Sequence, residues 1–159
     1  MKLRECNLGD LMYVCCQIRQ DEWLQIEKFT GSRDLDALVN RCYAVPGEKW
    51  TFVDEAVSAD SALVVCGFAP IRHGVYASWF LASGFAWDHY GKQVTDMAAE
   101  RLQYKLKSGA HRIETLCLAS RTLAHVWYRR IGLQLESTLK AYCVDGSDAV
   151  MYVALKGEA

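Results

Sequence analysis

Charge of one sign is what this chain lacks: 18 Lys and Arg stand against 19 Asp and Glu in 159 residues. Without a basic excess there is no electrostatic footprint for nucleic acid or an anionic membrane surface, and neither is an expected partner. A phosphate-bearing partner has to be met by a local site. Long apolar runs are missing too, since none approaches the roughly 18 residues of a membrane span. Met1-Lys2-Leu3-Arg4-Glu5-Cys6 alternates in polarity where an export signal would run apolar. No internal repeat, linker or low-complexity segment interrupts the chain. The expectation is one soluble, cytoplasmic domain over residues 1–159, and 52% hydrophobic residues with five Trp supply its core.

Cysteine is plentiful, but zinc-type and disulfide-type patterns are absent. Seven is an odd count, Cys15 and Cys16 are adjacent, no C-x-x-C pair occurs, and a domain of this size folds without staples. Reduced thiols and no metal are expected. Cys117-Leu118-Ala119-Ser120 has the look of a nucleophile, yet no His is spaced to pair with Cys117, and Cys in an apolar strand is ordinarily a small hydrophobe.

What is present is periodicity. Residues 2–5 read as a short strand, with Asp10 as the cap of a helix carrying Leu11, Val14, Cys15 and Ile18 on one face. Helical pieces follow over 21–29 and 35–42, the latter stopped by Pro46-Gly47. Runs at 49–54, 62–68 and 75–82 read as a meander of three strands, and "VYASWFLA" is apolar enough to be the central strand. "SGFAWDHYG" reads as a loop. A helix then starts near Lys92 with Val94, Met97, Ala98, Leu102 and Leu106 on one face. "HRIETLCL" is a strand, 121–131 a helix, and 133–143 and 149–155 two strands joined through Asp145-Gly146, a hairpin signal. The strand-helix-strand unit over 75–118 predicts a right-handed crossover and a parallel pair within an otherwise antiparallel sheet. Ligands gather at the carboxyl ends of such strands.

This order, closed by Ala124, Tyr128 and Gly132 in "LAHVWYRRIGL", resembles the GNAT superfamily of acyl-CoA-dependent N-acetyltransferases, whose helix after the fifth strand has the pattern N-x-x-A-x-x-x-Y-x-x-x-G-F. Arg121 stands at the asparagine position and Leu133 at the aromatic one. The likeness covers nearly the whole chain, including "MKLRECNLGDL" as opening strand and helix start. More narrowly, "SWFLASGFAW" before a basic amphipathic helix looks like the acetyltransferase-like proteins of podoviral bacteriophages. The resemblance implies an α/β (α+β) fold: a mixed, mostly antiparallel sheet of about seven strands, with strands four and five parallel, flanked by about four helices.

The resemblance also implies acetyl-CoA, or another acyl-CoA, as co-substrate, and a primary amine of a small molecule or a host protein as acceptor. The chain would act as a monomer or homodimer. Leu81 and Ala82 end the strand that would hold the pantetheine arm, Arg121 opens the following helix, and His89, Gly91, Lys92 and Gln93 would meet the diphosphate. The family's loop, Q/R-x-x-G-x-G/A, is kept at only one of three anchors, because Asp88 takes the Gln/Arg place and Gln93 the second glycine. Trp23, Glu27 and Tyr142 would touch the acceptor, and Tyr128 would protonate the leaving sulfur.

Each residue also has a plainer role. Tyr128 fits a packed aromatic, Asp88 a cap, and Arg129 and Arg130 complement a helix C-terminus. His73, His89, His111 and His125 fit surface or hydrogen-bonded positions. Trp87 fits the core or a cover for adenine. Glu114, Asp54 and Glu55 are alternatives for a base, and none is singled out. The rival reading is a phage-encoded scaffold of the same fold that binds a host enzyme or virion component.

Overall fold

A computed structural model of the protein describes residues 2–54 and 61–157; Glu55 and the turn expected after it lie outside them. Strand β1 (Lys2–Glu5) leads into three helices, α1 (Leu8–Cys15), α2 (Gln20–Thr30) and α3 (Leu35–Ala44). A meander of β2 (Glu48–Val53), β3 (Ala62–Arg72) and β4 (Val75–Ala82) follows. Then come α4 (Gly84–Lys107), β5 (Arg112–Leu118), α5 (Thr122–Arg130), β6 (Gln134–Leu139) and β7 (Ala149–Leu155). The seven strands form one sheet in the order β1-β2-β3-β4-β5-β7-β6, so β4 is its middle strand as the sequence predicts. Among the described residues only β4 and β5 pair in parallel, within a mixed α/β layer carrying five helices.

Three local departures have physical reasons. Helix α1 starts before Asp10, because Asn7 is the cap and Asp10 closes a reciprocal capping box from the third helical position. Asp10 is then held by both Arg4 guanidinium nitrogens at 2.6 and 2.7 Å and by the Thr51 hydroxyl at 2.8 Å, which ties α1 to β1 and β2. Five helices stand where about four were expected, since a bend after Cys15 separates α1 from α2 and Ile18 there bridges to Ser83. Helix α4 has an extra first segment from Gly84, and its second segment starts after Tyr90, near the expected Lys92. Ser83 accepts from the Ala86 amide as its cap, and Tyr90 (φ −128°, ψ 16°) kinks it at the place where the sequence suggested a start.

The core lies on both sides of the sheet. On one face α1 and α3 bury Leu11, Val14, Leu38 and Val39 against Val65 and Leu81. On the other, Leu102 and Leu106 of α4 and Ala124, Tyr128 and Ile131 around α5 pack on Ile113, Cys117 and Tyr152. A fully buried Leu or Ile contributes about 1.5–3 kcal/mol through this burial. The middle of β4 departs from the expected full coverage: Tyr76 through Phe80 are only half-buried.

The parallel pair is anchored at one end. Gly74 (φ 72°) turns β3 into β4, and its carbonyl accepts from the amides of His111 and Arg112 at 2.9 and 3.2 Å. The His111 ring occupies the space where a side chain would project, 2.2 Å from an added Cβ. Gly74→Ala therefore meets both backbone strain and a clash, and is expected to lower unfolding free energy by about 1–3 kcal/mol in urea titration. A variant as stable as the wild type would contradict this anchoring.

Candidate functional site

Strands β4 and β5 pair only from Val75 to Ala77 against Arg112 to Glu114. Beyond that point β4 continues its ladder with β3 and β5 its ladder with β7, so their facing edges diverge. Small polar side chains span the opening. The Ser78 hydroxyl donates to the Glu114 carbonyl at 3.4 Å, and the Thr115 hydroxyl donates to the Ser78 carbonyl at 3.1 Å. One backbone group freed by the divergence, the Leu118 amide, donates to Oε1 of Gln25 on α2 at 3.1 Å.

Cavities lie on both sides of this opening. One of about 210 Å³, at the carboxyl ends of the strands, is walled by Glu22, Phe80, Trp87, Arg121 and Trp127. One of about 420 Å³, between the sheet and helices α2 and α3, is walled by Gln25, Phe29, Trp79, Leu81 and Tyr142 among others. Tyr128 lines both. It projects from α5 beside Tyr152, with ring centroids 5.2 Å apart. Burial, reinforced by Cys117, pushes the phenol well above the usual tyrosine range although Arg121 opposes the shift. The hydroxyl is thus a proton donor at neutral pH.

Solved structures place this architecture. A mutant spermidine N-acetyltransferase from Vibrio cholerae superposes with a TM-score of 0.70 at 13% identity, over 98% of this chain and 95% of that one. An acetyltransferase of the GNAT family from Bacillus anthracis gives 0.71 at 17%, over 98% and 95%. A ribosomal-protein-alanine N-acetyltransferase from Brucella melitensis gives 0.70 at 13%, over 98% and 99%. The chain has the GNAT fold. Neither a family model nor a curated protein matches the sequence.

Where the GNAT resemblance implied a loop, residues 88–93 span the break in α4 at Tyr90, which lies outside helical geometry between two helical segments. The first turn of α4 is closed by the Ser83 side chain and by the Gly84 amide donating to the Gln17 carbonyl at 2.9 Å. Asp88 does not stand alone, because Arg19 of the α2 cap pairs with it. His89 stacks on Phe85 with centroids 4.2 Å apart, on the exposed side of the helix. Gly91 and Lys92 face a separate cleft with Arg130, Lys92 being paired with Asp96 at 2.5 Å, and Gln93 is exposed. Of the residues expected at the cofactor, Arg121 reaches the 210 Å³ cavity and Leu81 the larger one, while Ala82 is buried behind them.

The acceptor residues divide by helical phase. Tyr142 lines the larger cavity and meets Phe29 edge to face. Trp23 packs toward the α1 and α3 cluster instead, and Glu27 faces Arg33 at 4.0 Å. The face of α2 turned to the cavities carries Glu22, Gln25 and Phe29, spaced three and four residues apart. Trp87 forms an aromatic wall with Phe80 and Trp127, at 5.9 and 5.3 Å. His125 is held by the Ala119 carbonyl at 3.0 Å, and burial raises the Cys117 thiol to about 11, which makes it a poor nucleophile. Among the described residues no His, Cys, Asp and Glu group is placed to hold a metal, and no helix is long and apolar enough to cross a membrane.

Glu22 is the residue that sequence reasoning passed over. It occupies the third position of α2, and the Arg121 guanidinium stands 3.9 Å from Oε1. Arg121 is itself bound to Asp21 at 2.8 Å. Oε2 is buried without a hydrogen-bond partner. Desolvation raises the carboxyl from 4.5 to about 8, with Arg121 opposing.

The folded protein therefore holds a proton on Glu22 that the unfolded chain releases, and stability falls as pH rises from 4.5 through about 8. Glu22→Gln removes that cost. Its stability gain should be absent below 4.5 and grow to about 5 kcal/mol above the folded-state value, measured by urea unfolding across pH. A gain that does not vary with pH would contradict the buried-carboxyl account.

Proposed function

We propose that the protein is an acyl-CoA-dependent N-acyltransferase that moves an acetyl or other short acyl group to a primary amine. The observation that carries the reading is Tyr128, a buried hydroxyl lining cavities on both sides of the diverging parallel strands. In this reading the acyl-pantetheine end of the cofactor takes the cavity at the strand ends, beside Arg121 and the aromatic wall. The acceptor takes the larger cavity beneath α2 and α3. Acyl transfer requires a proton donor where the sulfur leaves and an amine delivered from the opposite side. In this reading Tyr128 gives that proton.

The residues fit the two ends of the cofactor unequally. The cavity at the strand ends has an aromatic wall of Phe80, Trp87 and Trp127 that suits a pantetheine arm, beside the ionisable side chains of Arg19, Asp21, Glu22 and Arg121. The diphosphate has no glycine cradle, so side chains such as Arg19 and Arg121 would have to meet it, once released from Asp88 and Asp21. Two of the structural neighbours bear names that describe acetyl transfer to nitrogen, which supports an amine acceptor here. The acceptor is a small amine, or a lysine or N-terminus of a protein.

The closed first turn of α4 favours a second reading, a phage-encoded scaffold of this fold that binds a host enzyme or virion component without catalysis. Thermal unfolding with acetyl-CoA separates the two. Ligand at 100 times its dissociation constant stabilises by about 2.7 kcal/mol, and the enzyme predicts a clear rise in Tm; no shift at millimolar acetyl-CoA selects the scaffold. Within the enzyme reading, Tyr128→Phe should retain the acetyl-CoA shift and lose at least about tenfold in turnover. Unchanged turnover removes Tyr128 from the chemistry.

A further inference from the structure

The chemistry described above leaves one buried group at the site without a part. The Glu22 side chain is 6% exposed, lines the cavity shared with Tyr128 and Arg121, and keeps Oε2 without a hydrogen-bond partner. Once the carboxyl gives up its proton its oxygens only accept, so the complement of the ionised form is an N–H or O–H donor, and in a dry site a cationic donor serves best. The adjoining cavity, which meets this one at Tyr128 and Phe80, offers a mainly apolar surface of Phe29, Trp79, Leu81 and Tyr142. An ammonium group on an apolar or aromatic body matches both parts.

We propose that Glu22 is the base of the transfer, taking a proton from the ammonium of an acceptor whose apolar body fills the cavity beneath α2 and α3. This rests on the acyltransferase reading. Glu22 carboxylate removes one N–H proton, and the freed nitrogen lone pair attacks the thioester carbonyl. The C–N bond forms and the C–S bond breaks, its electron pair leaving with sulfur. Tyr128 gives its proton to that sulfur and regains one from the nitrogen, which ends as a neutral amide. The proton left on Glu22 passes to solvent, which balances the reaction.

The charged and titratable groups around Glu22 are Arg121 and Tyr128 from α5, Arg19 and Asp21 from α2 itself, and Cys117 of β5 behind Tyr128. Asp88 of α4 is held by Arg19. Arginine keeps its charge, and burial keeps Cys117 and Tyr128 protonated, so Glu22 is the group whose charge changes near pH 8.

The test follows the Glu22 carboxyl by NMR of protein labelled with carbon-13 in its glutamate carboxyls, assigned with Glu22→Gln. Phenethylammonium is the cationic probe and phenethyl alcohol the neutral control. The ammonium should lower the titration midpoint by about one pKa unit or more, and the alcohol should leave it in place. With acetyl-CoA and phenethylamine, Glu22→Gln should lose at least about 30-fold in kcat and lose the rise of kcat with pH, while keeping the wild-type thermal shift with acetyl-CoA. A midpoint unmoved by the ammonium, or a variant that keeps both turnover and the rising pH limb, overturns the role of Glu22 and leaves the acyltransferase reading standing on that shift. Absence of the shift in the wild type overturns both.

Discussion

Two parallel strands that pair over Val75 to Ala77 and then part create every surface at the candidate site. A continuous ladder would bury the backbone of Ser78 to Ala82 in the sheet. Instead, Ser78 and Thr115 hold the first step of the opening with side-chain hydrogen bonds, and the edges beyond face cavities. The divergence is sustained because each strand is fully paired on its outer side, β4 by β3 and β5 by β7. The Gly74 anchor fixes the closed end. Rigid ladders outside and an open seam inside place Tyr128 where ligands on either face reach it.

The seam is kept open at a cost in stability. Glu22 is buried with one carboxyl oxygen unmatched, although Arg121 stands near the other. A glutamine would sit there more cheaply near neutral pH. Such locally unfavourable groups collect at functional sites, where strain or desolvation is tolerated for what it does. The Arg19 pair with Asp88 and the Arg121 pair with Asp21 hold the start of α2 across the same cavity, linking it to α4 and α5.

Much of the fold was legible in the sequence because it is written in periodicity and turn chemistry. The apolar "VYASWFLA" marked the middle strand, Gly132 (φ 99°) turns α5 toward β6, and Gly146 (φ 79°) sits in the turn before β7. The first segment of α4 was hidden because "SGFAWDHYG" is rich in turn-prone residues, whereas Ser83 there is a helix cap; the start expected near Lys92 matches the break at Tyr90. Tyr128 was singled out by its spacing to Gly132, and the structure buries it beside both cavities. Glu22 was not, since an acidic residue in a first helical turn ordinarily faces water, and only tertiary packing buries it. The same limit explains Trp23 and Glu27: the helix was legible, but its phase against the sheet is set by contacts distant in sequence.

The central claim is that the opening between β4 and β5 is where an acyl-CoA binds. Mapping backbone amide shifts of nitrogen-15-labelled protein during acetyl-CoA titration tests it most directly. The account predicts saturable changes at Ser78 to Ala82, Thr115 to Leu118 and along the first turns of α5, with β1 and β2 unaffected. Changes confined to the cleft of Lys92 and Arg130, or none at all, would contradict it.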